Sequence, residues 1–162
     1  MTKQVFIDTQ LWIYSKKKPI LENFSDQTRF NNALKGHTEA IKFFGDIRKK
    51  RCQIYLSSHQ ISELYHALSF RGFKIPRNES FQFIQNLKNN NKITIVEINW
   101  QNIINALERS ARSAIHIWDY LCILPLVNKI DICYTNDKHY QDQTFQGFKF
   151  RIENPLTRWE IL

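Results

Sequence analysis

The sequence predicts an α/β fold, a three-layer sandwich in which helices flank a central, mostly parallel β-sheet. Short apolar runs typical of buried strands alternate with segments whose apolar residues recur at helical spacing. Strands that alternate with helices of ordinary length are characteristic of a parallel sheet covered by helices. The chain contains no internal repeat and no low-complexity segment.

The first 50 residues predict one strand and two helices. Residues 4–9 begin polar, continue as an apolar run and end at an Asp-Thr pair, which indicates a short buried strand. A helix is expected to begin directly after it, near Gln10. Residues 16–32 are polar and charged and contain a proline, so we expect a loop there. Residues 33–50 carry apolar side chains at helical spacing and close with basic residues, which predicts a second helix.

The rest of the chain repeats the alternation of strands and helices. The further strands, indicated by apolar runs, are expected at residues 53–57, 92–97 and 131–135. The further helices, indicated by apolar stripes, are expected at residues 58–70, 78–90, 100–113 and 117–127. Pro125 interrupts the last of these helices and should kink it or leave a carbonyl group unpaired.

The length and composition are those of one compact domain. The chain has 162 residues, 43% of them hydrophobic, and shows no internal boundary, so residues 1–162 are expected to form a single domain. No secretory signal is visible, and no apolar run approaches the roughly 20 residues that cross a bilayer. We therefore expect a soluble cytoplasmic protein with no membrane partner. Cys52, Cys122 and Cys133 lack C-x-x-C spacing, which favours buried thiols over disulfides or a zinc knuckle.

The net charge of +8 indicates a polyanionic partner, because lysines and arginines that neutralise phosphates release condensed counterions. The basic residues concentrate at residues 16–18 and 48–51 and at Arg71, Lys74 and Arg77. Solvated faces of a merely basic protein would explain the same charges. Charge therefore identifies a class of partner and not a reaction.

Two acidic residues share one position in the predicted sheet. Asp8 ends the first strand and Asp137 lies just beyond the last. Ligands bind beyond the carboxyl ends of parallel strands, so both carboxylates are expected to face one crevice. Each residue taken singly has an alternative interpretation, since Asp commonly caps the helix that follows a strand.

Asp119 lies in a segment that is apolar nearly all the way round, from residue 117 to residue 127. Such a helix is buried, and a carboxylate on it must be neutralised, paired or bound to a metal ion. The alternative is a first-turn acid on a helix that starts later than expected. Glu63 points away from the apolar stripe of its helix, so on the residues alone it reads as a solvated side chain.

The acids are more informative as a set than singly. Carboxylates crowded into one crevice repel one another unless a divalent cation compensates their charge. Ligation by oxygen alone suits Mg²⁺ or Mn²⁺ rather than zinc. The five histidines show no metal-ligand spacing, and we expect them to be surface or hydrogen-bonded residues.

Four segments together resemble the PIN domain family, whose members carry acids after the first strand, on a mid-chain helix, on a later helix and after the following strand. The matching segments are VFIDT at residues 5–9, SHQISEL at 58–64, IWDYL at 117–121 and DICYTND at 131–137. Their order and placement carry the likeness, since each segment alone is short and degenerate. The resemblance covers nearly the whole chain.

The resemblance implies a PIN-like fold and a divalent-metal-dependent endoribonuclease, and within the family it favours the VapC-like toxins of toxin-antitoxin pairs. The catalytic and metal-binding residues would then be Asp8, Glu63, Asp119 and Asp137, with Thr135 and Asn136 in support. The cofactor would be Mg²⁺ or Mn²⁺. RNA would be the substrate, an antitoxin protein would be the partner, and the protein would form a homodimer.

Three features depart from the family pattern. Gln10 stands where these proteins often have Asn or Ser, the stretch between Asp8 and Glu63 is long, and Pro125 interrupts the helix that carries Asp119. Two other functions remain to be weighed. A non-catalytic RNA-binding or protein-interaction domain would keep the fold without turnover. A phosphoryl-transfer enzyme with Asp8 as nucleophile would need a second acid two residues on, where Gln10 stands.

Overall fold

The computed structural model describes all 162 residues and contains one five-stranded sheet in which every strand pair is parallel. The strands are β1 (Lys3–Ile7), β2 (Cys52–Ser57), β3 (Ile93–Val96), β4 (Ile132–Tyr134) and β5 (Arg151–Glu153). They lie side by side in the order β3-β2-β1-β4-β5. The α-helices are α1 (Thr9–Lys16), α2 (Gln27–Lys49), α3 (Ser58–Phe70), α4 (Arg77–Lys88), α5 (Trp100–Ser113) and α6 (Ile117–Ile123). None of the helices combines the length and the apolar character that crossing a bilayer requires.

The core consists of two hydrophobic clusters on opposite faces of the sheet. Successive side chains of a strand point to opposite faces. Val5 and Ile7 of β1 accordingly pack into a cluster with residues of α1, α2, α3 and α4, whereas Phe6 packs into a second cluster with residues of α5 and α6. The predicted α/β sandwich, with helices on both faces of a parallel sheet, is confirmed.

Two helix boundaries differ from the predictions for local reasons, and one strand was not predicted. Helix α2 begins at Gln27, inside the predicted loop, because the side chain of Asp26 caps it by accepting a hydrogen bond from the Arg29 amide at 2.8 Å. Helix α6 ends at Ile123 and gives way to a 3-10 turn that contains Pro125, so the helix predicted to reach residue 127 was too long. Strand β5 at the edge of the sheet was not predicted.

Lys17 is buried rather than exposed with the rest of the first basic cluster. Its side chain is 8% exposed, and its ammonium group donates to the carbonyl oxygens of Ala67 and Arg71, each at 2.6 Å. Burial lowers the pKa of Lys17, and the positive charge of Arg71 lowers it further. These carbonyl groups lie at the C-terminus of α3, where helices leave acceptors without internal partners. Lys17 therefore caps α3 and does not belong to the exposed basic surface.

Replacing Lys17 with Met should destabilise the protein by about 2 kcal/mol, because a hydrogen bond from a charged donor contributes about that much and the carbonyl groups would lose their partner. The free energy of unfolding in urea measures the effect. Lys18→Met is the matched control, since Lys18 is exposed, and it should change stability by no more than about 0.5 kcal/mol. Equal effects of the two substitutions would contradict the assigned role of Lys17.

Candidate metal centre

Asp8 and Asp137 lie beyond the carboxyl ends of two adjacent strands. The parallel register of β1 and β4 pairs Ile7 with Tyr134, and the Asp8 amide donates to the carbonyl oxygen of Tyr134 at 2.9 Å. Asp8 is 7% exposed and Asp137 is 3% exposed. The strand pairing thus holds both carboxylates at one edge of the sheet.

Helices α3 and α6 bring the other two acids to the same edge. Glu63 lies on α3 and Asp119 in the first turn of α6, and each is partly buried. All four carboxylates line one pocket of about 260 Å³. Asp119 is less enclosed than its apolar segment suggested, since its side chain is 24% exposed and the neighbouring Trp118 is 45% exposed.

The helix-capping interpretations of these acids hold at the same time as the shared pocket. Asp8 is the N-cap of α1, and Asp137 caps the 3-10 helix Lys138–Gln141 by accepting from the His139 amide at 2.9 Å. Asp119 is a first-turn acid of a helix that begins at Ile117 as predicted, so the later start that its alternative interpretation supposed is not observed. Capping and convergence are therefore compatible, because each carboxylate oxygen has more than one lone pair and can accept from a capping amide while it faces the pocket.

Two threonines connect the acids through hydrogen bonds. Asp8 accepts from the Thr9 amide and from the Thr135 hydroxyl, each at 2.7 Å. The Thr9 hydroxyl donates to Glu63 at 2.6 Å, and the Thr135 hydroxyl accepts from the Asp137 amide at 3.0 Å. This chain of contacts orients the carboxylates of Asp8 and Glu63 and fixes the backbone of Asp137. Thr9 was not among the residues singled out from the sequence.

Asn136, expected to support the site, makes no side-chain hydrogen bond to any of the four acids. It is 0% exposed, and both polar atoms of its side chain lack a partner. Its carbonyl oxygen accepts from the Glu160 amide at 2.7 Å, which attaches the end of the chain to the segment that carries Asp137. Its structural contribution thus runs through the backbone.

His139 lies between two of the acids, and sequence reasoning missed it. Its Nδ1 is 3.3 Å from Asp137 Oδ1 and 3.7 Å from Asp119 Oδ2. Ligand atoms of Asp119, Asp137 and His139 all lie within 4.8 Å of one another. His139, expected to be a surface or hydrogen-bonded residue, is partly buried and lies beside two of the acids.

The pocket holds its carboxylates in an environment that disfavours their charge. Burial raises the pKa of Asp8 well above its ordinary value, against the Thr135 hydrogen bond, and the charges of Asp137, Glu63 and Asp119 raise it further. Burial, with the charges of Asp137 and Glu63, raises the pKa of Asp119 to about 7 despite the nearby His139. Burial also raises the pKa of Asp137, although hydrogen bonds from His139 oppose the shift.

A divalent cation would fit this set of donors. No lysine or arginine lies within 4.0 Å of any of the four carboxylates, whose only such basic neighbour is His139. Carboxylate oxygens are the ligands that Mg²⁺ and Mn²⁺ prefer, and a bound cation would relieve the mutual repulsion that raises the pKa values. The residues present therefore suit a magnesium or manganese ion.

Comparison with known proteins shows a likeness in structure and not in sequence. No family model and no curated relative matches the chain. A chain of VapBC2 from Rickettsia felis, solved bound to a DNA fragment from its promoter, is 13% identical, with a TM-score of 0.57 over 93% of this chain and 98% of that one. VapC20 from Mycobacterium tuberculosis, a toxin that cleaves the sarcin-ricin loop, is 16% identical, with a TM-score of 0.56 over 89% of this chain and 95% of that one. The protein therefore has the PIN-like α/β fold of these VapC structures.

Proposed function

We propose that the protein is a divalent-metal-dependent endoribonuclease that hydrolyses RNA phosphodiester bonds. The observation that carries the proposal is the pocket in which Asp8, Glu63, Asp119 and Asp137 meet with no lysine or arginine within 4.0 Å of their carboxylate oxygens. Concentrating uncompensated carboxylates in a partly buried pocket costs stability. A bound divalent cation would offset this loss of stability, which is why we infer that the pocket binds metal.

In the proposed mechanism the acids bind metal or orient water, and two threonines orient the acids. Asp8, Asp119 and Asp137 would hold Mg²⁺ or Mn²⁺, directly or through water, and Glu63 would bind metal or orient the attacking water. Thr135 would fix the orientation of Asp8, and Thr9 that of Glu63, through their hydrogen bonds. The bound ion would supply an activated water and stabilise charge on the leaving oxygen.

The surroundings of the acids suit a single-stranded RNA substrate. Trp118 is 45% exposed, lines the same pocket and already stacks on the ring of His59, and an unpaired base could extend this stack. Arg71 also lines the pocket and is suited to a phosphate group. The net charge of +8 would attract the RNA backbone to the protein.

The biological role proposed is that of the toxin in a VapBC-type pair, acting in the cytoplasm as a homodimer and blocked by an antitoxin protein. The fold shared with a VapBC2 complex and with VapC20 supports this role. The rival is a non-catalytic RNA-binding or protein-interaction domain with the same fold. The rival would bind its partner without needing the metal ion.

Removal of divalent metal separates the two functions. The purified protein should cleave a labelled single-stranded RNA in Mg²⁺ or Mn²⁺ and lose at least about 100-fold of that rate in excess EDTA, because the proposed mechanism activates the attacking water at the bound ion. Calorimetry should detect binding of Mn²⁺ to the free protein. Binding of RNA without cleavage in any divalent metal, and without detectable metal binding, would favour the rival.

A further inference from the structure

A second cluster of potential metal ligands lies beside the acidic pocket and contains softer donors. One ligand atom each from His59, Glu63 and Cys122 lie within 4.8 Å of one another. The Cys122 sulfur is 3.3 Å from Glu63 Oε2, the oxygen to which the Thr9 hydroxyl also donates. Glu63 is therefore shared between this cluster and the acidic pocket.

The fold presents the three donors together. His59 and Glu63 are four residues apart on α3 and so lie on one face of the helix. Cys122 belongs to α6, which packs against α3. The ring of His59 is held by stacking on Trp118, with centroids 4.9 Å apart and planes inclined by 9°. The Nε2 atom of His59 is buried and has no hydrogen-bond partner.

This combination of donors suits zinc better than magnesium. Imidazole and thiolate bind Zn²⁺, whereas Mg²⁺ prefers oxygen ligands. Ligand atoms around a tetrahedral Zn²⁺ are roughly 3.5 Å apart, given the usual zinc to ligand bond lengths. The separation of 3.3 Å between the Cys122 sulfur and the Glu63 oxygen is already close to that value.

The cluster also borders a second cavity, which shares Glu63, Arg71 and Trp118 with the acidic pocket. His59 and Glu63 line a cavity of about 270 Å³ together with Ser62, His66 and other residues. Asp8, Asp119 and Asp137 do not line this cavity. An ion that enters from this side could bind His59, Glu63 and the Cys122 sulfur. Water would then occupy its fourth coordination position.

We propose that His59, Glu63 and Cys122 form a zinc site that is distinct from the acidic metal centre and inhibits it. Binding exchanges the Cys122 thiol proton for Zn²⁺ and releases the proton to solvent. It also engages the Glu63 oxygen that Thr9 holds for the acidic centre. The inhibition rests on the proposed nuclease function, whereas the zinc site itself does not.

Cobalt substitution tests the site without reference to cleavage. The protein with Co²⁺ in place of Zn²⁺, in excess Mg²⁺, should show a thiolate-to-cobalt charge-transfer band in the near ultraviolet at one equivalent. Cys122→Ala should abolish the band, and His59→Ala should weaken cobalt binding at least about 10-fold. Cys52→Ala and His66→Ala are matched controls that should keep the charge-transfer band. Cys52 is another buried thiol, and His66 lines the same cavity without belonging to the cluster. Absence of the band, or its persistence in folded Cys122→Ala, would overturn the site.

Cleavage assays test the inhibition separately. The cleavage rate of each variant with zinc is divided by its own rate in Mg²⁺ alone. A change in basal activity therefore does not affect the measured inhibition. Zinc should inhibit the unsubstituted protein and His66→Ala at similar concentrations, whereas Cys122→Ala and His59→Ala should need at least about 10-fold more. Equal zinc sensitivity in all four proteins would refute the inhibitory role. If the protein shows the cobalt band but cleaves no RNA, the zinc site is supported and the proposed nuclease function is refuted.

Discussion

Replacing Asp8 with Asn should abolish metal-dependent RNA cleavage while leaving the protein folded. The substitution removes one carboxylate from the proposed ligand set, so the rate should fall at least about 100-fold, more than is typical for residues that only orient a ligand. Asn caps helices about as well as Asp, so α1 should keep its N-terminus. The substitution of Asp8 also removes a buried carboxylate that three other acids repel. Stability without metal should therefore be unchanged or higher.

Asp142→Asn is the matched control for this substitution. Asp142 caps a 3-10 helix with nearly the same backbone geometry as Asp8, at φ −63° and ψ 148° against φ −61° and ψ 148°. Its carboxylate accepts from the Thr144 amide and does not line the acidic pocket. The two variants and the unsubstituted protein are purified identically, and their rates of single-stranded RNA cleavage in Mn²⁺ are compared. A fully active Asp8→Asn variant would show that the assigned centre is wrong.

Without divalent metal, the protein should lose stability as the pH rises from about 4 to about 7. The Asp119 carboxyl has a pKa of about 7 in the folded protein, and an unfolded Asp titrates near 4, so the folded state binds this proton more tightly. The stabilising effect of the proton is complete below the unfolded value and is lost as the pH passes the folded one. The loss is at most about 4 kcal/mol, and less where solvent reaches the partly exposed carboxylate.

Urea unfolding in EDTA at pH 5.5 and pH 8 measures this loss. Asp119→Asn should reduce the difference between the two pH values, because its side chain does not titrate. Added Mn²⁺ should restore stability at pH 8, by about 2.7 kcal/mol at a concentration 100-fold above its dissociation constant. If the protein without metal were more stable at pH 8 than at pH 5.5, burial and repulsion would not raise the pKa of Asp119 as described.

The layered fold could be predicted because its main elements have strong local patterns. Strand β1 is a continuous apolar run, and α3 carries a complete apolar stripe. Strand β5 has only three residues, Arg151–Glu153, with charged side chains at both ends. Its pairing with β4 depends on contacts across the sheet that no local pattern reveals. The burial of Lys17 likewise depends on the distant end of α3.

The site was harder to predict because its contacts join distant segments. Acids at strand ends could be found from topology, since parallel strands present their carboxyl ends at one edge. The distance of His139 from Asp119 depends on how α6 packs against the sheet, although its position two residues after Asp137 was a usable signal. Thr9 stood beside Asp8 in the sequence, but its bond to Glu63 requires α3 to lie alongside α1.

The dual use of Asp8 and Asp137 as helix caps and pocket carboxylates has an evolutionary consequence. Codons for Asp and Asn differ only in their first base, and Asn satisfies a helix cap as well as Asp does. A single nucleotide change at either position can therefore remove a proposed metal ligand and keep the backbone that the residue caps. Descendants that retain this architecture and act only by binding should arise readily from such a protein.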